Sequence, residues 1–292
     1  MKPLVVTASL FIVFMTVAAQ LVAGDPEWQR ITNDGSFKQR PVWSPDGQKV
    51  VYSRHAGSTI FLFLRDLDTD QEERLTSRTD PEYDAVFAPD GLSLLFSFDK
   101  LSPNQGDIEV YRLLLADRSF TPVATHKALS HEEWPSYSPD GKRFAFTSTR
   151  DGQQEMYTAS IEGGDWTRLT SDPGIDAHPA WSPDGKWVAF ATNRWGDNEI
   201  AVIQPDGSGL KRLTHSTGLD DYPSWSPDSS RLAWTSNRDG NFEIYVQAVD
   251  GGQPTNVTKS GSLENFPSWL PDGKLGFVSN KSGGFEIYTT RP

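Results

Sequence analysis

The sequence has 292 residues, 36% hydrophobic and 23% charged, and a formal net charge of −12; this length suits one large all-β domain or two small ones. The acidic balance argues against a nucleic-acid ligand and favours cationic ligands or basic protein segments, chiefly through encounter rate. With no cysteine, disulfides and lipid attachment through a thiol are excluded, which fits a bacterial periplasm better than an animal extracellular space.

The first element is a targeting segment. Lys2 precedes an apolar run from Leu4 to Val17, and small residues follow as far as Gly24. This layout predicts a secretory signal peptide over residues 1–24, with Val22 and Gly24 before a cut at Asp25, and a periplasmic or secreted domain over 25–292. The alternative is a retained anchor, since Leu4 to Ala23 is nearly long enough to span a bilayer. Asn-x-Ser/Thr matches at Asn256 and Asn280 would matter only in a eukaryotic secretory route.

The rest of the chain repeats itself. "PAWSPDGKWVAFATNRWGDNEIA" begins at Pro179, "PSWSPDSSRLAWTSNRDGNFEIY" at Pro223 and "PSWLPDGKLGFVSNKSGGFEIY" at Pro267. The aromatic before each turn gives the column Trp43, Phe87, Tyr137, Trp181, Trp225 and Trp269, at intervals of 44, 50, 44, 44 and 44 residues. Periods of this length with several short strands per unit indicate propeller blades. Each unit reads as a strand ending in the aromatic, a Ser-Pro-Asp-Gly turn, an alternating second strand, an Asn/Asp-Gly turn, a "FEIYV"-like third strand and a fourth ending "RLT". Blade five has Ser229 where the turn glycine belongs, a local strain.

The ends complete one another. The last unit stops at Pro292 without its "RLT" strand, and "WQRIT" (Trp28 to Thr32) mirrors "WTRLT" (Trp166 to Thr170). The amino-terminal strand is therefore expected to complete the last blade, closing an all-β, six-bladed β-propeller of four antiparallel strands per blade. Closure removes open sheet edges and adds about four backbone hydrogen bonds, each worth roughly 1 kcal/mol net. The anchor aromatics, with Ile31, Leu75, Leu169 and Leu213, are expected to pack between blade faces.

A second pair of columns carries charge. Lys100, Arg150, Arg194, Arg238 and Lys281 follow the second strands, and Glu109, Glu155, Glu199, Glu243 and Glu286 open the third; blade one breaks both columns with Ala56 and Phe61. Joint loss suggests that base and acid are ion-paired across the hairpin, each pair adding about 0–1 kcal/mol if exposed.

The units quoted above resemble the TolB-like propeller repeat, over essentially the whole chain after the leader. The resemblance implies a periplasmic propeller of the Tol–Pal envelope system that presents itself to peptide segments of partner proteins. The α/β domain that precedes the propeller in TolB proper has no counterpart in the short stretch between Asp25 and the first blade. The same repeat accompanies peptidases and some polysaccharide-degrading enzymes, so fold alone does not define function.

Function is expected on the face that holds the inter-blade loops, opposite the repetitive Ser-Pro-Asp-Gly turns. Five residues ahead of each anchor stand Lys38, Glu82, Glu132, Asp176, Asp220 and Glu264; two places nearer stand Arg40, Asp84, Trp134, His178, Tyr222 and Phe266. Symmetry would ring one channel mouth with the acids. Glu82, Glu132, Trp134, Asp176, His178, Asp220, Tyr222, Glu264 and Phe266 are thus candidate ligand residues for a basic or extended peptide, with Ca²⁺ in the channel as a further possibility. The alternative is that each acid serves its own loop backbone. Blade two inserts residues in "FDKLSPNQGDIEV" and "THKALSHEEW", on the same variable face. Trp195, in "NRWGD", is an added stacking candidate for peptide or sugar, or a cover for its neighbour. His126 and His131 beside Glu132 and Glu133 make a weak metal candidate. No His-Glu-x-x-His or Gly-x-Ser-x-Gly motif is present. The expectation is a monomeric, non-catalytic scaffold binding a partner's extended segment. A carbohydrate-binding or carbohydrate-cleaving propeller is the alternative, drawing on carboxylates and aromatics.

Overall fold

The computed structural model describes residues 27–99, 107–125 and 130–292. The signal segment expected over 1–24 lies outside the described residues, as do Lys100 and His126.

The described residues form six four-stranded antiparallel sheets. Blade one comprises β2 (Lys38–Trp43), β3 (Lys49–Ala56), β4 (Thr59–Asp66) and β5 (Glu72–Arg74). Blade two comprises β6 (Glu82–Phe87), β7 (Ser93–Asp99), β8 (Ile108–Leu114) and β9 (Phe120–Ala124). Blade three holds β10 (Glu132–Tyr137), β11 (Arg143–Ser148), β12 (Glu155–Ser160) and β13 (Thr167–Arg168). Blade four holds β14 (Asp176–Trp181), β15 (Val188–Thr192), β16 (Glu199–Ile203) and β17 (Lys211–Arg212). Blade five is β18 (Asp220–Trp225), β19 (Arg231–Ser236), β20 (Glu243–Ala248) and β21 (Thr255–Asn256). Blade six is β22 (Glu264–Trp269), β23 (Leu275–Ser279) and β24 (Glu286–Thr290), completed by β1 (Gln29–Arg30).

The ring closes as the ends predict. Gln29 pairs with Thr289 and Arg30 with Tyr288, and the Ile31 amide donates to the Ile287 carbonyl at 2.8 Å. Thr32 Oγ1 donates to Glu286 at 2.5 Å and accepts the Ile287 amide at 3.0 Å. Lys38, wholly buried, adds an ion pair to Glu286 at 2.9 Å. The seam is thus held by main chain and by a buried charge pair.

The turn chemistry explains the repeated phrase. Ser44 Oγ donates to Asp46 at 2.6 Å and accepts the Lys49 amide at 2.8 Å, while the Gly47 amide closes the turn onto Ser44 with φ of 73°. Ser138, Ser182 and Ser226 repeat the bond to Asp140, Asp184 and Asp228. Ser229 occupies the glycine position at φ 59°; its hydroxyl accepts the Asp184 amide of the preceding blade at 3.0 Å, which offsets the strain.

Hydrophobic clusters lie between neighbouring blades. Trp43 of blade one packs with Val278 and Ile287 of blade six. Its approach requires Gly276, where an added Cβ would stand 2.5 Å from the indole.

The charge columns need correction. Arg194 pairs with Asp176 of β14 at 2.7 Å and Arg238 with Asp220 of β18 at 2.8 Å. Arg150 lies over the Trp166 ring and Lys281 over Trp28. The third-strand acids turn the other way, to the fourth strand: Glu155 to Arg168, Glu199 to Arg212 and Glu286 to Arg30. Antiparallel β12–β13 and β16–β17 pairing brings those arginines alongside, whereas the hairpin bases reach back across the sheet.

Candidate functional site

Every first strand carries an irregularity at the same place. The register shifts between Gln39 and Val42, Tyr83 and Val86, Glu133 and Ser136, Ala177 and Ala180, Asp221 and Ser224, and Asn265 and Ser268. At each bulge a non-glycine residue adopts positive φ: Arg40 (48°), Asp84 (58°), Trp134 (56°), His178 (54°), Tyr222 (56°) and Phe266 (57°). In five of the six blades the next residue is proline, which disfavours the right-handed helical region before it and has no amide to lose from the ladder. Bulges re-aim side chains, and left-handed backbone costs about 1–3 kcal/mol per residue. Part of that cost is offset by hydrogen bonds from the preceding blade: Ser53 accepts the Asp84 amide at 3.3 Å, Ser97 that of Trp134 at 3.1 Å and Thr235 that of Phe266 at 3.2 Å.

The six re-aimed side chains meet. Trp134 and His178 have ring centroids 4.1 Å apart, His178 and Tyr222 4.1 Å, and Tyr222 and Phe266 4.7 Å. Arg40 completes the circuit, its guanidinium 5.3 Å from the Tyr222 centroid and 3.1 Å from Asp84. Beside the ring, Asp221 Oδ1 accepts from His178 Nδ1 at 2.5 Å. Glu133 accepts from Gln154 at 3.1 Å. Burial, and then the neighbouring Asp84, raise the Glu133 carboxyl to about 8. Burial likewise raises Asp84, against the opposing Arg40 charge.

From this ring an axial cavity of about 250 Å³ runs toward the Ser-Pro-Asp-Gly turns. Its wall is a collar of Pro41, Pro135, Pro179, Pro223 and Pro267, and it extends to Trp181, Pro183, Trp225 and Trp269. The cavity lining thus extends toward the turn side, opposite the face on which the site was expected.

The acids expected at a channel mouth stand elsewhere. Glu82, Glu132, Asp176, Asp220 and Glu264 are at most 1% exposed. Glu82 accepts from Thr76 at 2.6 Å, Glu132 from Ser148 at 2.8 Å, and Glu264 from Ser279 and Ser260, both at 2.7 Å; Asp176 and Asp220 hold Arg194 and Arg238. These carboxylates brace their own blades and do not form an accessible rim. The reason is the bulge: residues two positions apart share a face in a regular strand, but the bulge turns the ring residue to the axis and leaves the acid two places earlier buried within the blades. Among the described residues no group of three or more His, Asp or Glu could hold a metal ion, and no carboxylate lines the axial cavity. His131 lies 4.0 Å from Glu133.

Trp134, His178, Tyr222 and Phe266, anticipated from the repeat, are brought together. Trp195 stands apart, 38% exposed, with Arg194 and Arg212 at 5.6 and 5.0 Å from its ring. Arg40 and Asp84 were not among the candidate ligand residues, although they share the ring's repeat position; that shared column was the available signal.

Comparison with known proteins agrees with this architecture. The family model of the TolB beta propeller domain matches residues 102–220 and 215–291. A Tol-Pal system protein TolB from Anaeromyxobacter dehalogenans is 32% identical over 128 residues, which is 44% of this chain and 28% of the relative; the match thus spans well under a third of the relative's length. The crystal structure of TolB from Acinetobacter baumannii superposes with a TM-score of 0.71 at 25% identity, over 82% of this chain and 59% of that one. An oligogalacturonate lyase from Vibrio parahaemolyticus has a TM-score of 0.64 at 15% identity, over 92% and 94% of the two chains, a likeness of fold alone. With the family model covering well over half of its length, and six blades of the matching architecture, this chain belongs to the TolB β-propeller family.

Proposed function

We infer that the chain is an exported binding scaffold that takes up an extended segment of a partner protein at its axial cavity. The observation that carries this reading is the aromatic series Trp134–His178–Tyr222–Phe266, whose last three members line a proline-collared cavity. Aromatic faces and proline rings accept apolar side chains without demanding many hydrogen bonds. A cavity of about 250 Å³ suits one or two side chains of a peptide, not a folded domain. Curated relatives bear the name of the Tol–Pal system, which supports a periplasmic site and an envelope protein as partner, and the apolar run after Lys2 supports export.

Peptide display against the purified chain tests the reading. Enriched peptides are expected to lose binding on Tyr222→Ala and His178→Ala, with far-ultraviolet circular dichroism unchanged. Binding that survives both substitutions in folded protein removes the axial site.

The exposed Trp195 between two arginines favours a second reading, a carbohydrate platform. Affinity for an acidic polysaccharide, lost on Trp195→Ala, would support it; no binding across a polysaccharide panel would end it.

A further inference from the structure

The chain carries 39 acidic against 27 basic residues, yet the axial cavity has no carboxylate in its lining. The polar side chains that do line it are hydrogen-bond donors or can act as donors: Arg40, His178, Tyr222 and the hydroxyls of Ser136, Ser224 and Ser268. Ser136 and Ser224 accept the backbone amides of Trp181 and Trp269 at 2.9 and 3.3 Å, which leaves their O–H bonds free to donate. Arg40 Nε is engaged by Asp84 at 3.1 Å, whereas Arg40 Nη1 is buried and has no acceptor among the described residues. A buried guanidinium N–H without a partner is costly, and the natural acceptor for its fork is a carboxylate.

Resting on the reading of the axis as a peptide site, we propose that the cavity selects a segment bearing a carboxylate, with Arg40 as the specificity-determining residue. Of the acidic groups nearby, Asp84 belongs to the ring and holds Arg40 Nε, Asp221 holds His178 and Glu133 holds Gln154; none of the three is in the cavity lining. The cavity lining thus presents a guanidinium and no carboxylate, although the chain is acidic; the long-range field of the net charge is screened over about 8–10 Å at physiological salt. The carboxylate is either a chain terminus or an Asp or Glu side chain; both offer the same planar acceptor pair, with the apolar body of the segment against the proline collar and aromatic ring.

The probe is 3-phenylpropanoate, compared by calorimetric titration with its neutral isostere 3-phenylpropanamide. The acid is expected to bind at least about tenfold tighter, because a donor-lined site rejects a group that cannot pair with it. Arg40→Gln should abolish the preference and Arg40→Lys should retain part of it. Since Arg40→Gln leaves Asp84 without its cation, its melting temperature is measured alongside, and the acid–amide comparison on the unaltered chain stands without the variant. Equal affinity for acid and amide, or no binding of either, overturns the proposal. Peptides from the display selection, each made as free acid, as C-terminal amide and with Asp and Glu replaced by Asn and Gln, then separate the sources. Loss in the second form assigns the terminus and loss in the third assigns the side chain. Loss in neither overturns carboxylate selection while the peptide reading stands. Binding of 3-phenylpropanoate with no peptide recovered keeps carboxylate selection and removes the peptide reading.

Discussion

Replacing Lys38 by Met tests how the ring is fastened. Lys38 is wholly buried at the seam, ion-paired with Asp34 and with its ammonium 2.9 Å from Glu286, 3.2 Å from the Ser36 carbonyl and 3.1 Å from the Ser36 hydroxyl; Asp34 is partly exposed, so water compensates its charge and Glu286 bears the loss. Removing one member of a buried ion pair leaves the other charge uncompensated and typically costs about 3–5 kcal/mol. Glu286 keeps hydrogen bonds from Thr32 and the Gly35 amide at 2.5 and 2.6 Å and the Arg30 pair at 3.2 Å, so the lower end, about 3 kcal/mol, is expected. For a domain of this size that is a melting-temperature loss of roughly 5 °C or somewhat more, read by circular dichroism at pH 7. The pH dependence carries the sharper test. Burial pushes the Glu286 carboxyl up, but hydrogen bonds from Thr32, Lys38 and Gly35, together with the Lys38 charge, hold it below the ordinary range. A depressed carboxylate contributes stability above its unfolded value and loses it on acidification. The penalty of Lys38→Met should therefore shrink as pH falls through the ordinary carboxylate range, and adding Glu286→Gln to Lys38→Met should recover part of it at pH 7. A penalty independent of pH, or a double variant no better than the single, would refute the claim that a buried charge pair fastens the seam.

Three further outcomes follow from the same geometry. Burial raises Glu82 to about 6 and Glu133 to about 8, and burial with the neighbouring Glu243 raises Glu264 to about 7; the folded state then holds more protons than the unfolded one between about pH 4.5 and 8. These groups make the melting temperature fall as pH rises across that window, and Glu264→Gln should flatten the slope below pH 7. Gly276→Ala drives a methyl group into the Trp43 indole, 2.5 Å away, and should cost about 1–3 kcal/mol by denaturant titration, with partial recovery on Trp43→Phe. Ser229→Gly relieves left-handed strain of about 1 kcal/mol but forfeits the hydrogen bond from Asp184, worth about 1 kcal/mol. Its stability should match the parent, while Ser229→Ala, which keeps the strain and loses the bond, should be destabilised.

The number of blades, the strands in each and the closure of the ring were legible in the residues, because each depends on local rules that recur at fixed intervals. Ser-Pro-Asp-Gly dictates a turn wherever it stands, alternation dictates a strand, and an unpaired "RIT" strand at one end answers a missing "RLT" strand at the other. The ring residues Trp134, His178, Tyr222 and Phe266 were legible for the same reason, as one column of a repeat. What the column could not convey is direction. Glu82, Glu132, Asp176, Asp220 and Glu264 precede the ring residues by only two positions, yet a bulge at each first strand turns one set to the axis and leaves the other sealed within the blades. The partners of Arg194 and Arg238 were likewise decided by how far a side chain reaches across the sheet, and not by which column lost its residues together. Arg40 faces a cavity without carboxylates in a strongly acidic chain, and no count of charges along the chain reveals that. Local chemistry writes the repeat, while side-chain orientation around a closed axis is a property of the assembled sheets.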